Sequence, residues 1–223
     1  MTQRKNILQM LEEFGGAATA SRLVEAGAHP EALRRMAQKG ELYMPMRGLY
    51  ALTSLEFEPM ATLAFLSARN PNLIACLKTA AVIHELTTEN LIYWDMIGGR
   101  DIRTPQLNDN GQVRLVPWKK MVETAEAGIG IGTMSIHGID VRVTTPERTV
   151  CDLLRFRNRH EFCSERLAIE AAVAYITKGG DKTELTRMAE KMGCRAHIDL
   201  LLGTIQEAID NGAAPAAAGR RVP

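Results

Sequence analysis

Glycine divides the first fifty residues into pieces so short that few arrangements can bury their apolar side chains: the breaks are Gly15-Gly16, Gly27, Gly40 and Gly48. Before the first break, Ile7, Leu8, Leu11 and Phe14 recur at three- and four-residue spacing, which predicts a helix over residues 3–14 with one buried stripe. Thr19 is placed to cap a second helix reaching Ala26, with Leu23 and Val24 inward and Gly27 as its left-handed stop. Pro30 suits the first turn of a third helix, where its missing N–H costs nothing, and Gly40 ends that helix after Lys39. Residues 41–52 then carry strand formers such as Leu42 and Tyr50 on both sides of a stretch containing Pro45 and Gly48, the pattern of a hairpin. Three short helices followed by a hairpin predict a winged helix-turn-helix, whose third helix enters the major groove of duplex DNA while the hairpin touches the backbone.

The chain of 223 residues is longer than such a module needs, so a larger partner domain is expected. The sequence reading divides it into residues 1–55, residues 56–210 and a loose Ala/Gly/Pro-rich tail over 211–223, with a boundary near residues 56–59. Helices are predicted over 60–69, 79–86, 146–156, 165–178, 182–192 and 198–209. Strands are predicted over 73–76, 91–97 and 113–118, with a turn at 108–111, and residues 133–137 and 139–143 form a hairpin around Gly138. The class is therefore α+β: an N-terminal winged helix-turn-helix followed by a mixed sheet with helices.

On the third helix Leu33, Met36 and Ala37 share one face, which leaves Arg34, Arg35, Gln38 and Lys39 pointing outward. Arginine bridges guanine and glutamine bridges adenine with paired hydrogen bonds, so this face has the chemistry of base reading. Thr19, Ser21 and Arg22 at the start of the second helix are candidates for phosphate contact, and Arg47 at the wing tip for a phosphate or a narrow minor groove. A formal net charge of only +1 confines any such surface to a local patch. Isolated charge runs are more often plain solvated helix faces; here the ordered helices and hairpin favour the DNA reading.

These residues resemble the AbiEi antitoxins of type IV toxin-antitoxin systems. The N-terminal resemblance runs through Gly15-Gly16, Thr19, Leu23 and Gly27, then Leu33-Arg34-Arg35-Met36, Lys39-Gly40-Glu41-Leu42 and Arg47-Gly48-Leu49-Tyr50-Ala51-Leu52. A second, more selective part lies in Lys78-Thr79-Ala80-Ala81-Val82-Ile83-His84-Glu85-Leu86 and in Thr144-Thr145-Pro146-Glu147-Arg148-Thr149-Val150-Cys151-Asp152-Leu153. At Glu85 the chain carries a glutamate where the family has a small, glycine-like residue. The resemblance implies a cytoplasmic bacterial antitoxin that represses its own operon at an inverted repeat and opposes a nucleotidyltransferase toxin without a stable complex. From the residues themselves, Thr145, Pro146 and Glu147 make a helix start, and Arg148 and Asp152 form an exposed pair one turn apart, contributing roughly 0.3–0.5 kcal/mol. The motif then serves mainly as a clamp between sheet and helices, with an antitoxin surface as the lesser reading.

No catalytic constellation is visible. Thr88 stands where a zinc protease needs its second histidine after His84-Glu85, and His160 with Cys163 lacks further ligands. The run Gly128-Ile129-Gly130-Ile131-Gly132 precedes strand-like residues and not the helix a dinucleotide loop requires, so a turn explains it better. No nucleophile elbow or phosphate-loop lysine is present, and no Asp or Glu is followed two positions later by the Lys that many metal-dependent nucleases need. Neither metal nor cofactor is expected. Cys76, Cys151, Cys163 and Cys194 are widely spaced, which predicts buried free thiols in a reducing cytosol, and apolar runs are too short for a membrane span. The competing readings are a winged-helix regulator with a ligand- or protein-sensing second domain and no toxin, and a nuclease of unrecognised type. A two-fold operator would require at least two copies on DNA.

Overall fold

The structure, a computed structural model, describes residues 3–58, 60–99, 102–108 and 111–210. The boundary residue Pro59, two residues of the turn expected at 108–111, and the tail over 211–223 lie outside the described residues. The chain forms two compact units, the first from Met1–Ala75, Ile92–Ala127 and Ile131–Val143, the second from Cys76–Leu91, Gly128–Gly130 and Thr144 onward. The first unit thus takes in both the winged module and most of the strands that follow it, a division unlike a single cut after residue 55.

The winged module begins with α1 (Gln3–Glu13), β1 (Ala17–Thr19), α2 (Ala20–Glu25) and α3 (Pro30–Gln38), followed by β2 (Tyr43–Met46) and β3 (Leu49–Ala51). Ile7 and Leu11 of α1, Leu23 of α2, and Leu33 and Met36 of α3 meet in one core. Helix stops fall where expected: Gly27 has φ +103° and Gly40 φ +69°, a region that a side chain makes costly. Strand β1 was not anticipated, because three residues are too few to show alternation. It pairs antiparallel with β3, and β3 with β2, giving a three-stranded sheet in the order β1-β3-β2. Pro45 is tolerated because β2 lies on the sheet edge and its register is irregular between Tyr43 and Met46.

The same unit contains a five-stranded mixed sheet in the order β6-β5-β4-β8-β7, formed by β4 (Ile74–Ala75), β5 (Tyr93–Ile97), β6 (Gln112–Leu115), β7 (Ile131–Ile136) and β8 (Ile139–Thr144). β4 runs antiparallel to β5 and parallel to β8, while β5 and β6 are parallel. α4 (Ala61–Arg69) packs against β1 and β7, and α6 (Lys119–Glu126), unanticipated, packs against β5. The strand expected to reach Trp118 ends at Leu115, ahead of Pro117, which cannot donate to a ladder. The β7–β8 turn, with His137 at φ +50° and Gly138 at +77°, lies against Gly15, where an added Cβ would sit 2.7 Å from the Gly138 carbonyl oxygen. Gly15 is therefore a packing requirement as well as a helix stop.

The second unit is helical: α5 (Leu77–Ile83), α7 (Pro146–Phe156), α8 (Glu165–Thr177), α9 (Lys182–Met192) and α10 (Arg195–Asp210). α7 is the centre, touching each of the other four, and every residue from Arg148 to Leu154 is buried. α10 starts three residues earlier than the apolar spacing implies, and α5 is shifted toward its N-terminus and stops at Ile83. The reason for that stop is a Schellman motif: Leu86 N–H donates to Ala81 O at 2.7 Å and Glu85 N–H to Val82 O at 3.0 Å, with Glu85 left-handed at φ +54°. The glycine-like residue of the resembled pattern stands at this position. Glu85 occupies it with backbone strain and pairs with Lys178 at 2.8 Å. Glu85→Gly is expected to raise the melting temperature by calorimetry although it removes that exposed ion pair, whereas Glu85→Ala, which keeps the strain, is expected not to.

Candidate nucleic-acid interface

The amphipathic division of α3 sets the geometry of the site. Leu33 is 1% and Met36 4% exposed, so the helix is fixed to the core on that side. Arg34, Arg35, Gln38 and Lys39 are all solvent-accessible on the other. Arg34 Nη1 lies 3.0 Å from Glu31 Oε1, a pair with both side chains well exposed, so water or a phosphate can displace it at little cost. Arg47 is exposed at the hairpin tip next to Gly48, whose φ of +77° makes the two-residue reversal between Met46 and Leu49 possible.

At the start of α2, Thr19 Oγ1 accepts from Arg22 N–H at 3.2 Å, the cap the sequence led us to expect. That amide is thereby satisfied within the protein. The Arg22 guanidinium stacks 4.1 Å from the centroid of the Phe14 ring, and Ser21 is exposed. The groups left accessible at this end are the exposed Ser21 hydroxyl and the Arg22 side chain.

A residue that the sequence marks only as the start of a turn belongs to the same region. Asn108 donates its backbone N–H to Pro45 O at 2.7 Å and its side-chain amide to Met44 O at 2.8 Å. Both acceptors lie on β2, the edge strand of the wing, so the segment between β5 and β6 closes an edge that would otherwise be open. Asparagine in a loop gives no periodic signal, and only the fold brings it to the wing.

The motif of residues 145–152 lies in the second unit. Thr145 Oγ1 caps α7 by accepting from Arg148 N–H, Pro146 occupies the first turn and Glu147 stands in it. Glu147 Oε1 accepts from the Tyr175 hydroxyl at 2.9 Å, and burial together with this contact raises the phenol above its ordinary range. The expectation of an exposed Arg148–Asp152 pair is corrected: both side chains are 0% exposed. Arg148 Nε bonds Asp152 Oδ2 at 3.2 Å, and Nη1 donates to the Ile129 carbonyl. The glycine run explains how a guanidinium fits there, since a Cβ on Gly130 would lie 2.7 Å from Arg148 Cβ. Around it, Thr145 N–H donates to Gly130 O, the Thr144 and Thr149 hydroxyls bond at 2.8 Å, and His84 Nε2 lies 2.7 Å from Thr144 O. Spacing could not distinguish this from a surface pair because an i, i+4 ion pair reads the same at any depth.

All four cysteines are buried and none forms a disulfide. His160 is exposed whereas Cys163 is buried and donates to Leu153 O, so the two do not face a common point. Among the described residues no group of three or more His, Cys, Asp or Glu is arranged to hold a metal ion, and no helix is long and apolar enough to cross a membrane.

Burial pushes the Asp152 carboxyl up to about 6, against the pull of the Arg148 guanidinium. Asp152 then holds a proton in the folded protein that it has released in the unfolded chain between about pH 4 and 6. The contribution of Asp152 to unfolding free energy is expected to fall as pH rises through that window and to level off above it, so the difference between the wild type and Asp152→Asn in denaturant titrations carries this slope. At neutral pH Asp152→Ala leaves a buried cation unpaired and is expected to cost about 3–5 kcal/mol, while Arg148→Met combined with Asp152→Leu costs much less.

No curated protein matches the chain. Residues 6–53, from α1 through the hairpin, match a family model described as "Transcriptional regulator, AbiEi antitoxin". The match ends there, so the resemblance in residues 78–86 and 144–153 lies outside it. The winged helix-turn-helix, with α3 displaying its four polar side chains beside the wing, is thus the part of this chain that is similar to the AbiEi family of antitoxin transcriptional regulators.

Proposed function

We propose that the protein is a DNA-binding repressor and antitoxin, acting by binding and not by catalysis. α3 lies in the major groove of an inverted repeat upstream of its own gene, and the residues beyond the wing counteract a nucleotidyltransferase toxin encoded alongside, without a stable complex. The site of action is the cytoplasm. The observation that carries the reading is the disposition of Arg34, Arg35, Gln38 and Lys39: four solvent-accessible polar side chains on a helix anchored by its opposite face, within the segment that matches a regulator family. In this reading Arg34, Arg35 and Gln38 face base edges, while Lys39, Ser21, Arg22 and Arg47 face phosphates, which position the protein without specifying sequence.

Thr145, Pro146, Glu147, Arg148 and Asp152 serve the antitoxin part indirectly, by holding the second unit's helices together. Two chains occupy a two-fold operator, one per half-site.

Operator binding tests the reading. Arg34→Ala with Arg35→Ala is expected to weaken affinity by about 1–3 kcal/mol for each base pair that is no longer read, and to flatten the dependence of affinity on salt by about one unit for each phosphate that is no longer neutralised. Unchanged affinity and slope in a folded double variant would remove α3 from the interface. Growth rescue on co-expression with the adjacent gene tests the antitoxin part separately.

Asn108 is assigned as a positioning residue for the wing. Asn108→Ala is expected to reduce operator affinity several-fold in the wild-type background and to add nothing once Arg47 is already alanine, a coupling that a general loss of stability would not produce. The double-mutant cycle by mobility shift, with melting temperatures of each variant, measures it.

A further inference from the structure

Arg142 is the least explained cation of the first unit. It lies on β8 opposite Ile74 of β4, which in turn stands opposite Ile97 of β5, so a guanidinium and two isoleucines form one row across the sheet. Arg142 is half-buried, yet among the described residues no group forms a hydrogen bond or ion pair with its side chain. Other partly or fully buried cations are engaged: Arg148 bonds Asp152, and in this same sheet Arg114 Nη2 bonds Asp95 Oδ1 at 2.6 Å. An unpaired, partly desolvated guanidinium is costly unless something else meets it.

What it faces is a cavity of about 550 Å³ between the sheet and α6, walled by Ile74, Ile97 and Val122, with Asn72 and Glu126 also contributing to its lining. That volume lies within the range of small-molecule sites, and the lining sets an aliphatic wall beside a comparable share of polar surface. Glu126 is exposed and does not neutralise Arg142, so the cavity keeps a cationic end and an apolar body. A guanidinium fork matches the two oxygens of a carboxylate, and the isoleucine wall matches hydrocarbon.

We propose that this cavity binds a small monocarboxylate with an apolar body, its carboxylate on Arg142 and its hydrocarbon against Ile74, Ile97 and Val122. The site is separate from α3 and the wing tip, and the proposal does not depend on what the protein does with DNA.

The test uses the full-length protein and a series of sodium carboxylates at constant ionic strength: acetate, isovalerate and benzoate, with benzamide as the uncharged counterpart of benzoate. Isothermal titration and thermal shift are expected to show saturable binding that strengthens with apolar size, reaching dissociation constants of about 0.1–1 mM for benzoate, the affinity typical of so small a ligand. Benzamide is expected to bind at least about tenfold more weakly, since it lacks the charge that the guanidinium selects. Arg142→Met is expected to abolish benzoate binding with the circular dichroism spectrum and melting transition retained, and Arg142→Lys to weaken it without the same loss. Benzamide binding as tightly as benzoate, benzoate binding undiminished in Arg142→Met, or no carboxylate binding at about 10 mM would each overturn the proposal. The benzoate–benzamide comparison is made on the wild-type protein and so stands even if the methionine variant does not fold.

Discussion

Strand β3 has three residues, and all three are buried. It is the central strand of the small sheet, with β1 on one side and β2 on the other, and both of its flanks are tied to the helices: Ala20 N–H donates to Gly48 O and Leu52 N–H to Gly16 O, each at 2.9 Å. These backbone bonds join the turn of the wing to the start of α2, and the end of β3 to the glycine pair after α1. The helices and the hairpin are thereby parts of one hydrogen-bonded unit. α3 keeps one face outward only if it is held against rotation as well as against dissociation, since a rotation of one residue would exchange Arg35 for Met36. The buried row of Leu33 and Met36 and the short sheet together prevent it.

The legible part of this arrangement was the part written in local rules. Helix periodicity in residues 3–14, the Thr19 cap, Pro30 at a first turn and the glycine stops each depend on a few adjacent residues, and each stands where the spacing placed it. Exposure of Arg34, Arg35, Gln38 and Lys39 followed from the same periodicity. What remained hidden depends on contacts between distant segments. β1 exists only because β3 pairs with it, and α6 is a modest amphipathic run behind Pro117-Trp118 that local pattern left as connecting chain. Asn108 acquires a role only from two carbonyls more than sixty positions away.

Depth is the property that sequence conveys least well for charged residues. Arg148 and Asp152 obey the same i, i+4 rule as the exposed pair Arg195 and Asp199, and yet the first is fully enclosed and the second is not. The difference lies in surroundings: Gly130 has no side chain to obstruct the stem of Arg148, and Ile129 turns a carbonyl toward its guanidinium. One carboxylate oxygen, Asp152 Oδ1, still has no hydrogen-bond partner among the described residues. An incompletely satisfied buried ion pair contributes little net stability, while removing either half is severe. Its effect is to admit one packing of α7 and to penalise alternatives, which fits a helix with an unbroken buried run, where apolar contacts alone would tolerate rotation.

The family match ends at residue 53, but the physical unit that presents the wing does not. β2 is an edge strand with an irregular register and a proline, features that weaken its own ladder. Its missing outer partners come from Asn108, in the segment that leaves β5 at Gly98. Gly98 and Gly99 line the cavity that Arg142 faces, so the chain passes from cavity wall to wing edge within about ten residues, not far beyond the commonest length of a connection. A winged module cut at the limit of the match would keep α3 in place, because α1 and α2 hold it, and would lose the external hydrogen bonds on the wing. α3 and the hairpin therefore differ in what supports them. α3 is rigid by its own core, and the hairpin takes part of its order from residues the local module does not contain.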